Sequence, residues 1–189
     1  MTMSLLELWL PILLGTFLAW MASAVIHMAL KYHNFDYQKL SNEDEVRSAV
    51  RSGNPSLGVH TVPYCVDMEQ MQDEAMQGKF REGPVALVTV FPSGMPNMGK
   101  LVGQQIVYFF LGCVFVGYCA TLALEPGAEF MRVFRFVATL GFLTFGWALI
   151  PFSIWYGHLW SSAGRYLLDA LIYGSLVAGS FAWLWPSVV

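Results

Sequence analysis

The chain has 189 residues, of which 56% are hydrophobic and 12% charged. A water-soluble domain carries roughly 25% charged residues, so the composition excludes an ordinary soluble fold. A net charge of −3 excludes a basic nucleic-acid surface as the main theme, and no nucleic-acid partner is expected.

Four apolar stretches succeed one another at about 5–29, 102–124, 133–150 and 167–185. Each has at least about 18 residues with almost no charge, the length a helix needs to cross the hydrocarbon core. The expected fold class is an all-α integral membrane protein with four transmembrane helices. It forms a single membrane domain over 1–189, with a structured extramembrane loop at about 31–100.

The first stretch contains Ala22-Ser23-Ala24, which resembles a signal-peptide cleavage site. No Lys or Arg precedes the run, so the segment reads as a retained anchor. Gly15, Ala19 and Ser23 recur at steps of four, the small-residue pattern that lets membrane helices approach closely. His27 lies at the end of this stretch.

The long loop carries helical and strand signals. Ser41, with Asp44 three positions on, makes a near capping box for a helix to about Arg51. A second helix is expected from about Asp67 to Phe80, with Met68, Met71, Ala75 and Phe80 on one stripe. That stripe is suited to rest on the bilayer interface or a partner. The β-branched run 85–91 reads as a short strand. His60, Cys65 and Met68 place an imidazole, a thiol and a thioether within nine residues, the soft donor set that copper prefers. The alternative is a cysteine and methionine packed against the membrane surface.

Cys113 and Cys119 lie in the second stretch and read as small hydrophobes rather than a disulfide. The third stretch ends near Ile150, or runs on to Tyr156 with a bend at Pro151. Arg132 and Arg135 at its start can snorkel to the headgroups. His158 comes after it on the same expected side as His27, so the two are candidates for axial haem or metal ligands. In the fourth stretch Arg165 and Asp169 stand at the spacing of an i,i+4 ion pair. The sharper reading of Asp169 is a proton relay, since intramembrane carboxylates are often functional. Ala170, Gly174, Ala178 and Ala182 form a second small-residue stripe. It faces the first helix or another chain.

Orientation is read from the basic residues. Lys31, Lys39, Arg47, Arg51, Lys79, Arg81 and Lys100 fall between the first two stretches, and Arg165 falls on the same side. Both termini are therefore expected outside and the long loop in the cytoplasm. Trp9, Trp183 and Trp185 mark one interface, and Trp155 and Trp160 the other.

The string Asn42-Glu43-Asp44, the segment His60 to Met68, the Gly83-Pro84 and Gly99-Lys100 pairs, and the stretch from Asp169 to Pro186 resemble a family of small bacterial multi-spanning membrane proteins with no assigned function. The resemblance implies a location in the bacterial cytoplasmic (inner) membrane and carries no catalytic residue across. The leading functional expectation is a structural or accessory subunit of a larger membrane complex of energy-converting type, with other membrane subunits and bound lipid as partners. The alternatives are a small haem- or copper-binding protein, and a lipid- or quinone-handling protein that uses Arg165 and Asp169.

Overall fold

The computed structural model describes residues 3–187. The chain divides into two compact units, Met1–Gln38 together with Pro96–Val189, and Lys39–Met95. In chain order the elements are α1 (Leu5–Leu30), α2 (Glu43–Ser52), β1 (Gly58–Val62), α3 (Met68–Gln72), α4 (Glu74–Glu82), β2 (Ala86–Val90), α5 (Met98–Ala123), α6 (Phe130–Trp155) and α7 (Trp160–Trp183). Helices α1, α5, α6 and α7 are long and apolar enough to cross a membrane. This is a membrane-embedded, mainly helical protein.

Two local expectations are corrected. The fold is not all-α, because β1 and β2 pair antiparallel, with His60 opposite Val88. The helix expected at 67–80 breaks at Asp73, which is extended and caps the next helix through a bond from the Met76 N–H at 3.3 Å. A carboxylate that satisfies orphan amides at a new helix start competes with continuing the old one. Of the two ends expected for the third span, the structure takes the longer: the span runs on past Ile150 to Trp155, and a tight turn at Trp147–Leu149 precedes Pro151. Proline is tolerated there because the first turn of a helix segment needs no donor from it.

Helix α7 is the hub of the membrane unit. Half of its apolar window is buried, against about a third for each of the other spans. Its buried face carries Asp169, Ala170, Tyr173, Gly174, Val177, Ala178 and Phe181, the spacing of one helical stripe. The two small-residue stripes do not form one seam. Gly15 of α1 rests on Val177, whereas Gly174 meets Gly141 of α6 and Ala170 meets Gly146 of α6. A Cβ built on Gly141 would stand 2.7 Å from the Gly174 Cα. Contact this close is the means by which helices associate where lipid offers no hydrophobic gain. Phe109 of α5 fills the next layer, edge-on to Tyr173 at 5.1 Å and to Phe145 at 5.5 Å between ring centres.

The end of α1 departs from regular geometry. The Lys31 N–H bonds to the Ile26 carbonyl, five residues back, at 2.9 Å. Lys31 itself adopts a left-handed conformation with φ of 52°. The turn is therefore one residue wider than an α-turn. Such wide turns mark functional sites more often than chance.

Candidate metal centre

The chain leaves that wide turn directly into a tight turn, Tyr32–Asp36. Tyr32, His33 and Asp36 thereby reach the face of α7 that carries Arg165 and Asp169. His33 stands between two carboxylates. Its Nδ1 lies 2.7 Å from Asp36 Oδ2, and its Nε2 lies 2.8 Å from Asp169 Oδ2. The Tyr32 hydroxyl donates to the other Asp169 oxygen. Arg165 donates to Asp36 Oδ1 through Nε at 2.8 Å and also through Nη2. The same Nη2 reaches the Ser161 and Ser162 hydroxyls at 3.4 Å.

Burial alone would raise the Asp36 carboxyl, but hydrogen bonds from Ser162, Arg165 and His33 outweigh it and hold the group down at about 2. Burial, and then the bond to Asp169, push the Tyr32 phenol upward, so it remains a neutral donor. Asp169 is 3% exposed. Among the described residues no Lys or Arg pairs with it. A carboxylate buried in a membrane helix and partnered by a histidine and a phenol is a functional-site signal. Among the described residues no buried side-chain nitrogen or oxygen lacks a hydrogen-bond partner, so the cluster is a finished scaffold.

His27 completes the group from the last turns of α1. Its ring stacks on His33 at 4.7 Å between centres and 3° between planes. Its Nδ1 bonds the Ser23 carbonyl oxygen at 3.0 Å, which leaves Nε2 to ligate. One ligand atom each from His27, His33 and Asp169 lie within 4.8 Å of one another. Donors at 2.0–2.2 Å from a zinc-sized ion stand roughly 3.3 Å apart. The His33–Asp169 pair, at 2.8 Å, shares a hydrogen bond, so an ion would take the place of that proton and spread these two donors slightly, while the exposed His27 closes in. The Asp36–His33 bond is the outer carboxylate–imidazole contact that orients metal-bound histidines.

A cavity of about 370 Å³ opens beside the triad, with Ser23, His27, Gln105, Tyr108, Asp169 and Tyr173 among its walls. It lies among the four spans.

The sequence candidates fall in different places. His27 and Asp169 come together, with His33 as the imidazole at their centre. His158 lies against Phe152, at 5.5 Å between ring centres, and the ring stacked on His27 is that of His33. Arg165 does not pair with Asp169; it closes on Asp36, and Asp169 takes Tyr32 and His33. His60 bonds the Ser56 carbonyl at 2.9 Å, the Cys65 thiol donates to the Asp67 carbonyl at 3.6 Å, and Met68 is exposed. Each of these three is engaged or directed separately. Tyr32, His33 and Asp36 escaped the sequence reading, because the partner that gives them meaning stands 136 residues from His33. No protein-family model, curated protein or solved structure matches this chain.

Proposed function

We propose that this protein binds a divalent transition-metal ion within the membrane unit, through His27, His33 and Asp169. The observation that carries the reading is the meeting of two imidazoles and one buried carboxylate, with a second carboxylate and an arginine behind His33. Two nitrogen donors and one oxygen suit zinc, iron, manganese or copper(II), whereas copper(I) prefers sulfur. Three protein ligands beside a cavity leave a coordination position open, the pattern of reactive rather than structural sites. The stacking of His27 on His33 at 4.7 Å leaves no room for a macrocycle between these two rings.

The test is a titration of chelator-stripped protein, in mild detergent, with cobalt(II) and then zinc(II). The expected result is one ion per chain, displaced competitively and lost in His33→Ala. Affinity weaker than about 1 mM for every ion tried would reject the site. The wide turn gives an independent check. Deleting Ala29 restores a regular helix and rotates the residues beyond it by about 100°. Helical content should be kept and metal binding lost.

The membrane is read as the bacterial cytoplasmic membrane. The basic residues support a topology with both termini outside, and with the structured segment at about 31–100 extramembrane on the cytoplasmic side. Membership of a larger assembly, as an accessory subunit, is a separate property. A particle of fixed composition, extracted in mild detergent, would support it.

A further inference from the structure

We infer that the cavity beside the triad binds a neutral lipid with a planar, oxygen-bearing ring, the chemical class of the isoprenoid quinones. The inference rests on the metal reading only for the cavity's polar end. Three features select the ligand. Its walls come from all four membrane spans, Ser23 from α1, Gln105 from α5, Phe145 from α6 and Asp169 from α7. Those residues lie about two to three turns inside the nearer ends of their helices, and His27 and Leu101 within one turn of theirs, so the cavity sits beside one membrane interface, where the ring at the head of a lipid can enter. The walls are aromatic as well as polar. Tyr108 and Phe145 stand edge to face at 5.9 Å, and Phe145 and Tyr173 at 6.3 Å. Such rings offer flat and edge contacts to another ring. Hydrogen-bonding groups on Ser23, Gln105 and the tyrosines, with His27 and Asp169, gather around the same space. Those are partners for carbonyl or hydroxyl oxygens.

In the metal-free chain, charge decides against the other common amphiphiles. Among the described residues the lining holds no Lys or Arg and one carboxylate, Asp169. A phosphate or fatty-acid headgroup would meet that carboxylate without a cationic side chain to offset it. A neutral ring carries no such penalty. A cavity of about 370 Å³ is at the small end of the range for ligand sites. It therefore suits a ring and the first part of a tail rather than a whole lipid.

The experiment is equilibrium binding of a short-tailed benzoquinone to the full chain in detergent, with and without bound zinc. The expected result is saturable binding, at least tenfold weaker in Gln105→Leu, and blocked in Val102→Trp, which adds bulk to the cavity wall. Both variants should keep one metal ion per chain. Saturable metal binding with no quinone binding would overturn this inference and leave the metal site standing. Quinone binding with no metal binding would overturn the metal site and leave this inference standing. Displacement of the quinone from the zinc-free chain by a long-chain fatty acid, at equal or lower concentration, would also overturn it in favour of an anionic ligand.

Discussion

Arg165→Met is expected to cost about 3–5 kcal/mol of stability and to weaken metal binding roughly 10–100-fold. The first effect comes from the charge that the substitution leaves behind. Asp36 has a 6% exposed side chain, and Arg165 gives it two bonds. Met is apolar and of similar length, so the carboxylate would remain buried with its main counter-charge gone. The second effect comes from geometry. Asp36 orients His33, and an unsupported Asp36 no longer fixes the imidazole toward Asp169. Arg165→Lys should fall between, because an ammonium restores charge but not the fork of donors. Denaturant unfolding in mixed micelles measures the first effect and zinc competition the second. A stability loss under about 1 kcal/mol would show that the Asp36–Arg165 pair is dispensable. Asp36→Asn combined with Arg165→Met should lose less than the sum of the two single changes, since together they leave no unpaired charge.

Gly174→Val should separate α6 from α7. A Cβ at this position would stand 2.8 Å from the Phe142 nitrogen and 3.0 Å from the Ala138 carbonyl oxygen. Both neighbours are backbone, so no rotamer change can make room. Overpacking of a tight interface costs about 1–3 kcal/mol even where side chains can adjust. The upper part of that range or more is expected here, with Gly174→Ala intermediate. Gly179 on the same helix has nothing within 4 Å of its Cβ position, and Gly179→Ala should be neutral or slightly stabilising. Unfolding midpoints for the three variants test the contrast. Equal midpoints for the variants at positions 174 and 179 would refute close backbone contact as the basis of the α6–α7 seam.

The spans were legible because hydropathy acts locally. Leu5 to Leu30 and Met98 to Ala123 lie within a few residues of their expected bounds. The fourth span begins earlier than its apolar stretch, at Trp160, since the polar turn Ser161–Arg165 is stabilised by Asp36 rather than by lipid. The seam partners were less legible. Gly141 and Gly146 are five residues apart, which breaks the four-residue rhythm used to find such stripes, yet both face α7. The centre was the least legible part. Arg165 and Asp169 have ideal spacing for each other, and only the fold reveals that Asp36 and His33 compete better for them. His33 reads as a loop residue, because its burial depends on a turn whose extra residue leaves no mark in the sequence pattern.

The centre draws its groups from the first span, the turn that follows it and the last span, with the second and third spans threaded between them in sequence. During synthesis, His27, His33 and Asp36 are made and placed long before Asp169 and Arg165 emerge. Until then the early half is an open set of polar groups with no mate. The late arrival of α7 is therefore the step that closes the bundle, pairs Asp36 with Arg165 and assembles the proposed cation site together. A chain that stops or mis-inserts before Trp160 would expose those groups. The same residues proposed to bind the ion would then serve as a built-in report on whether biogenesis had been completed.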